Sequence, residues 1–268
     1  MALIIALGDL HGHVEILARL RQVQTQYPEA ITVFNGDYID SYGPNQGFEL
    51  LEKIHARQLA DPQHTVVLMG NHEQAAVNFF TNEQRQAWLT FGGDNTLKTV
   101  AASLGGDGSV SQDRQLILAY KPELLAWLRA LPLTYTVGKI CFVHAGLDLT
   151  LADPIRDTSD HDRLWLRANY WYAGSPSFGI FGRNPLPMSI VTGHTANGWI
   201  SGKYARSEGQ VPEDKIKSTD NSIYAIQYPG EFPRYLMDGG AGGNDLQDLG
   251  NIGVFDSETG MLIDKFED

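Results

Sequence analysis

Five short apolar runs along the chain each end at a glycine and a polar side chain. Leu3–Leu7 runs into Gly8-Asp9, Ile31–Phe34 into Asn35-Gly36-Asp37, and 66–69 into Gly70-Asn71. Further on, Ile140–Val143 runs into His144-Ala145-Gly146, and 190–192 into Gly193-His194. Runs of Val, Ile and Leu bounded by turn residues predict buried strands. In the connections, Val14, Leu17, Leu20 and Val23 recur at helical spacing, as do Phe48, Leu51 and Ile54. These stripes are expected to be core faces of helices. The alternation of strand and helix predicts a layered α/β domain. The stretch 74–132 breaks the alternation. It predicts helices around 83–89 and 123–131, with the turn Gly105-Gly106-Asp107-Gly108 between them. We take it as a helical insertion near the site, within a single domain spanning 1–268. From Ser222 onward the pattern becomes strand-rich, with candidates at 222–226, 234–237 and 252–255. A turn at 256–260 then leads into Met261–Phe266 as a terminal hairpin, and Gly239 to Gly243 reads as a loop.

Composition narrows the classes of function. In 268 residues, 43% are hydrophobic, enough for a substantial core, and 19% are charged, so the chain does not resemble a disordered one. The net charge of -12 and pI of about 5.0 describe an acidic surface. Such a surface repels nucleic-acid backbone and anionic lipid, and neither is expected as a partner. Cys141 is the single cysteine, so no internal disulfide can form, which suits a reducing compartment. Set in an apolar strand, it is expected to be a small core residue rather than a nucleophile. The apolar N-terminal run lacks a basic flank and is too short to span a bilayer. It reads as a strand and not a signal peptide, and a soluble cytoplasmic protein is expected.

The strand ends carry the candidate chemistry. Asp9 and His11 stand two apart, where alternate positions of an extended chain point the same way and can face one ion. Asp37 has two carboxylate oxygens and can bridge two metals about 3.5–4 Å apart. Asn71 offers an amide oxygen, and His144 and His194 offer imidazole nitrogens. Mixed N and O donors suit Mn, Fe, Zn or Ni better than calcium or magnesium. Two divalent ions against the charges of Asp9 and Asp37 leave a positive site that attracts a phosphate dianion and acidifies a bound water. Taken singly, each residue has an ordinary explanation as a turn cap or a hydrogen-bonded histidine; placed together at strand ends, they describe a site. His13, His55, His64 and His161 lack that placement and are expected to be structural.

The motifs Gly8-Asp9-Leu10-His11-Gly12, Gly36-Asp37-Tyr38-Ile39-Asp40, Gly70-Asn71-His72-Glu73, His144-Ala145-Gly146 and Gly193-His194-Thr195 together resemble the calcineurin-like metallophosphoesterases. Within them they look most like the phosphoprotein phosphatase branch with its bacterial and bacteriophage members. The resemblance spans Gly8 to Thr195 and implies two packed mixed β-sheets flanked by helices, with the site on strand-end loops. It implies that Asp9, His11 and Asp37 hold one metal and that Asp37, Asn71, His144 and His194 hold a second. His72 would be the general acid and Asp40 its orienting partner, while Glu73 and Thr195 look structural. The metals would be two divalent or trivalent ions, manganese or iron by family, with zinc or nickel also chemically suited. The implied reaction is direct in-line attack on phosphorus by metal-bound hydroxide.

One position departs from the pattern. Where relatives commonly carry Arg after the second Asp of the GDxxD motif, this chain has Ser41, which cannot supply a planar cationic fork. Arg167, in Leu164-Trp165-Leu166-Arg167, resembles another phosphate-contacting Arg of bacteriophage-type enzymes. Arg183 is a candidate only by its place before the last ligand-bearing strand. The expected activity is a phosphomonoesterase, of the serine/threonine protein phosphatase type. The alternative is a dinucleoside polyphosphate pyrophosphohydrolase, for which Trp165, Tyr170, Trp171 and Tyr172 could stack on a base. A catalytically inactive binding module is the third reading, and the complete set of ligands and acid argues against it.

Overall fold

The strands at the centre of the fold are apolar on both faces because each is covered twice. In β1 (Leu3–Leu7), Ile5 and Leu7 face helices while Ile4 and Ala6 face a second sheet. A computed structural model describes residues 2–40, 47–82, 86–172, 179–243 and 248–268. In it β1 pairs in parallel with β2 (Ile31–Phe34), which pairs in parallel with β3 (Thr65–Val67). A second group comprises β4 (Thr134–Val137), β5 (Ile140–Val143), β6 (Ser189–Thr192), β7 (Tyr224–Ile226) and β8 (Arg234–Leu236). The hairpin β9 (Ile252–Asp256) and β10 (Met261–Phe266) closes the chain. The first sheet has the order β10-β9-β1-β2-β3, and the second β4-β5-β6-β8-β7 with β5, β6 and β8 parallel. Both sheets are therefore mixed, and the fold is α/β as the motifs implied.

The sheets meet through Ile4, Ala6, Val33 and Leu68 on one side and Ile140, Phe142, Val191, Tyr235 and Met237 on the other, with Phe255 from β9. The outer face of the first sheet is covered by α1 (Ile16–Gln26) and α2 (Glu49–Ala60), which bury Ile16, Leu20 and Val23, and Leu50, Leu51 and Ile54. The second sheet is covered by the short helices of the β5–β6 connection, α7 (Pro154–Asp157), α8 (Asp160–Trp165) and α9 (Ala168–Trp171). Tyr170 of α9 packs with Cys141, Val143 and Ile190. Cys141 is fully buried there and its thiol is pushed up by burial, as a core residue should be.

The long connection between β3 and β4 holds α3 (Asn71–Thr81), a 3-10 turn at 86–90, α4 (Gly93–Ser103), α5 (Val110–Tyr120) and α6 (Pro122–Arg129). Helix α6 stands where the sequence predicts it, opened by Pro122. Of the other predicted helix, 83–85 lie outside the described residues and 86–90 form 3-10 rather than α-helix. Helices α4 and α5 were not anticipated. In α5 the buried stripe includes Asp113 and Arg114 beside Ile117, so its inward face does not look apolar. Arg114 reaches back to donate to the carbonyls of Phe79 and Phe80 at the end of α3. Phe79, Trp88, Leu97, Ile117 and Leu125 share one apolar cluster with Ile5 and Leu7 of β1. Among the described residues no helix is long and apolar enough to cross a membrane.

The inter-sheet layer should dominate stability. Phe142 is fully buried there, edge-on to Phe255 and stacked near Tyr135. Phe142→Ala is expected to cost about 3–5 kcal/mol, read as a lower denaturant midpoint with unchanged slope; a loss below about 1 kcal/mol would show that the sheets do not rely on this contact.

Candidate dinuclear metal centre

Within each sheet the parallel strands end on one edge, and those ends come together. Glycine permits the approach. A Cβ on Gly193 would lie 1.8 Å from Asp9 Oδ2, and one on Gly70 would lie 2.2 Å from Asp37 Oδ1. Among the described residues, five non-glycine residues have positive φ: Asp9, His11, Asp37, Asp40 and His194. All five are residues that the sequence singles out as chemical. Left-handed backbone is unfavourable for side-chain-bearing residues and persists where the surroundings impose it, commonly at functional sites.

The side chains converge on Asp37, which is 2% exposed. Its Oδ1 accepts from the backbone N–H of His72 at 3.1 Å. Its Oδ2 faces three imidazoles: His144 Nε2 at 3.3 Å, and His11 Nε2 and His72 Nε2 at 4.0 Å each. On the other side, Asn71 Oδ1 lies 2.8 Å from both His144 Nε2 and His194 Nδ1. Two groups of donor atoms lie within 4.8 Å of one another, His11 with Asp37 and His72, and Asp37 with His144 and His194. Asp37 belongs to both. Asp9 joins through Oδ1, which accepts from the His194 N–H at 2.6 Å, while its buried Oδ2 has no hydrogen-bond partner among the described residues.

Two of the imidazoles are aimed by their other nitrogen. His11 Nδ1 donates to the Asp40 carbonyl at 2.7 Å, and His144 Nδ1 donates to the Asn35 carbonyl at 3.0 Å, so both turn Nε2 lone pairs inward. Glu73 ties the supporting loops: Oε2 accepts from the N–H groups of Asp37 and Gly70, and Oε1 from that of Tyr38. By accepting from the Gly70 N–H it also caps the start of α3, half of a capping box, since Gly70 has no side chain to reciprocate, the structural place expected of it.

The electrostatics fit bound cations. Asp9 is pushed well above the usual carboxylate range by burial, then by Asp238 and Asp37. Asp238 is pushed up to about 6, chiefly by burial, with Asp37 adding to it. For Asp37 burial acts upward, but His144, His72 and His11 hold the carboxyl well below its ordinary range. Burial, then the neighbouring charge of His72, lowers His11; burial, then His144 and Arg167, lowers His194 well below its ordinary value. Those shifts favour the neutral ring, the form a metal ligand requires; His144 goes the other way, where burial lowers it but the charge of Asp37 and its hydrogen bond outweigh burial and raise it. Repelling buried carboxylates, an orphaned Asp9 oxygen and inward lone pairs are the chemistry of a site built for positive ions. His72 is raised as well. Burial lowers it, but Asp37 and the hydrogen bond to Asp40 Oδ2 at 2.9 Å overcome that and raise it to about 9.

The remaining candidates lie around this centre. Arg167 is exposed, and its Nη1 donates to the His194 carbonyl at 3.1 Å and to the Thr195 hydroxyl. Arg183 pairs with Glu231 at 3.5 Å and lies over the Tyr228 ring at 4.9 Å. Ser41 falls outside the described residues. His13 bonds through Nε2 to the Ala241 carbonyl at 3.0 Å, and Gly242 in the same loop lies against the His11 ring, so His13 pins the glycine-rich loop beside the centre. His55 stacks on Trp127, His64 pairs with Asp61, and His161 stacks on Trp165. Sequence reasoning missed three residues here. Asp238 lies two residues beyond the end of β8 and just before Gly239-Gly240, a strand-end placement like that of the candidate ligands, and that signal could have found it. Trp88 and Thr96 both donate to the Asp40 carboxylate, and no local pattern announces them.

Two mixed sheets with donor atoms gathered at their strand ends form an α/β architecture with a candidate metal site. The chain matches the family described as calcineurin-like phosphoesterase over residues 2–208, and it belongs to that family. It is thus a metal-dependent phosphoester hydrolase of a family that uses a dinuclear metal centre. Among solved structures, a candidate diadenosine tetraphosphatase is 15% identical with a TM-score of 0.52, over 99% of this chain and 93% of its own. That likeness concerns the fold. A serine/threonine phosphatase from Saccharomyces cerevisiae, similar to human phosphatase PP5, is 16% identical with a TM-score of 0.42, over 72% of this chain and 61% of its own. A metallophosphoesterase from Sphaerobacter thermophilus is 16% identical with a TM-score of 0.45, over 96% and 85%.

The buried carboxylates predict a pH signature. An acid whose folded pKa is raised loses stability as pH climbs from its unfolded value through its folded one. For Asp238 that window runs from its ordinary 3.8 to about 6, worth on the order of 3 kcal/mol. In metal-stripped protein, Asp238→Asn should raise unfolding stability at about pH 7.5 and change it little at about pH 4. Manganese should shrink the gain; an equal gain at both pH values would contradict a charge effect.

Proposed function

We propose that the protein is a phosphomonoesterase of the serine/threonine protein phosphatase type. In this reading Asp9, His11 and Asp37 hold one ion and Asp37, Asn71, His144 and His194 hold the other. The ions are manganese or iron, with zinc or nickel as alternatives. When bound, they supply positive charge for the phosphate and acidify the attacking water. The observation that carries the assignment is Asp37 Oδ2, shared by donor groups on both sides.

The chain's own residues supply the rest. The substrate phosphate sits over the centre, and Arg167, fixed at one end by Thr195 and the His194 carbonyl, presents its guanidinium to it. His72 has its Nδ1 bound to Asp40 and its Nε2 turned toward Asp37 Oδ2. Held protonated by the carboxylates around it, His72 gives its Nε2 proton to the leaving oxygen as the P–O bond breaks. His72 is tied through Nδ1 to the Asp40 carboxylate, so we assign it to proton donation and Asp9, with its open Oδ2, to the first metal. Bound ions draw on Asp37 and oppose the upward shift of His72, so the Asp40 bond matters most in the loaded state. Arg183, engaged with Glu231 and Tyr228, is taken out of the phosphate-binding role.

We take the chain as one domain over 1–268, with 74–132 as its insertion, acting in the cytoplasm on a phosphoprotein or small phosphate ester. The acidic net charge argues against nucleic acid or membrane as partner. Dinucleoside polyphosphate hydrolysis is the second reading. It is favoured by Phe91 and Trp165, whose rings stand 6.1 Å apart beside His72 and His194 and could contact a base.

A panel of phosphoseryl peptides, simple phosphate monoesters and dinucleoside tetraphosphates decides between them. The first two classes should give the higher kcat/KM, and preference for the dinucleotide would reverse the assignment. Metal analysis tests the shared carboxylate. Asp37→Ala should lose both ions and turnover, whereas His194→Ala should mainly weaken one; two ions retained in Asp37→Ala with normal turnover would refute the bridge.

A further inference from the structure

Asp40 is 2% exposed, and its carboxylate receives three side-chain donors. His72 Nδ1 at 2.9 Å and Trp88 Nε1 at 2.6 Å share Oδ2, and Thr96 Oγ1 donates to Oδ1. Two of the three come from one stretch of the helical connection, the 3-10 turn at 86–90 and the first turns of α4. That stretch approaches the His72–Asp40 pair from several sides. Phe91 stands edge-on to the His72 ring with centroids 5.0 Å apart. Gly92 has φ 103° and backs onto Asp40, where an added Cβ would meet Asp40 Cβ at 3.0 Å. A Cβ on Gly93 would lie 2.4 Å from the Trp88 ring, so the glycine pair lets Trp88 and Thr96 close on the same carboxylate.

We infer that Trp88 and Thr96 are positioning residues for phosphate-ester hydrolysis: they fix the Asp40 carboxylate so that it holds His72 Nε2 toward the leaving group. The inference rests on the assignment of His72 as proton donor. A carboxylate with one histidine partner can rotate and take up water in place of its donors. With Oδ1 held by Thr96 and Oδ2 shared between Trp88 and His72, rotation breaks at least two charge-assisted hydrogen bonds in a site from which water is largely excluded. The orientation of His72 is thereby set by the insertion as well as by the strand-end loop that carries Asp40. Neither Trp88 nor Thr96 is assigned contact with the substrate or the ions.

The test compares p-nitrophenyl phosphate, whose leaving group needs little protonation, with an alkyl phosphate, whose leaving group needs much. A general acid contributes about 10²–10⁴-fold. Thr96→Val and Trp88→Phe keep shape and remove the donor. Each should lower kcat for the alkyl ester roughly tenfold or more, with a clearly smaller loss for the aryl ester and with metal content unchanged. Thr96→Ser, which keeps the hydroxyl, should restore the alkyl rate. In an Asp40→Asn background, Thr96→Val should add no further change to the alkyl-to-aryl ratio. His72→Asn and Asp40→Asn run in parallel as reference. If both references show the leaving-group split but Thr96→Val and Trp88→Phe do not, or if Thr96→Ser fails to rescue, the positioning role is wrong. If the references themselves lose equally on both esters, His72 is not the proton donor and the inference falls with it.

Discussion

The Asp37 carboxylate sits where the two sheets meet, and imidazoles reach it from both. His11 comes from the loop that follows β1, His72 from the start of α3 after β3, and His144 from the end of β5. No one of these elements builds the centre alone. The apolar layer from Ile4 to Phe255 fixes how the sheets face each other, and the distances around Asp37 follow from it. Asn35 reinforces the join, since its amide donates to the Val143 carbonyl while its own carbonyl receives His144 Nδ1. Core packing and metal geometry are therefore one constraint: a displacement between the sheets is felt at once as a misplaced donor atom.

The same arrangement works against stability. Five of the described non-glycine residues hold left-handed backbone, and each such residue costs on the order of 1–3 kcal/mol. Asp9, Asp37 and Asp238 are buried together, where each raises the cost of ionising its neighbours. A fold selected for stability alone would have neither feature. Cations held there would offset the charge, and the rigid strand ends over-determine the backbone, so both costs fall at the candidate site.

Much of this was legible in the sequence because metal ligands on open sheets have a local signature. An apolar run, a glycine and a donor residue recur at Asp9, Asp37, Asn71 and His194, and the glycine has a physical reason: Gly193 and Gly70 admit Asp9 and Asp37 at distances that a Cβ would occupy. The terminal hairpin was legible from its local turn at 256–260 between two apolar runs, while the register shift between Leu262 and Asp264 was not. What stayed hidden depends on long-range placement. Helix α5 turns Asp113 and Arg114 inward, and so conceals its buried face. Trp88 looks like any core aromatic until its N–H is seen on Asp40, 48 positions earlier in the chain. Arg183 stood in the right place along the chain, yet its side chain is engaged by Glu231 and Tyr228. Sequence order predicts which loops gather at the strand ends, but not which side chains of an insertion reach them.

The central claim is that Asp37 Oδ2 joins two ion sites. Its most direct test is an anomalous-difference map from crystals of the protein loaded with manganese. Two peaks about 3.5–4 Å apart, one toward His11 and Asp9 and the other toward Asn71, His144 and His194, with Asp37 bonded to both, are the predicted result. A single peak, or a pair in which one ion does not touch Asp37, would contradict the account.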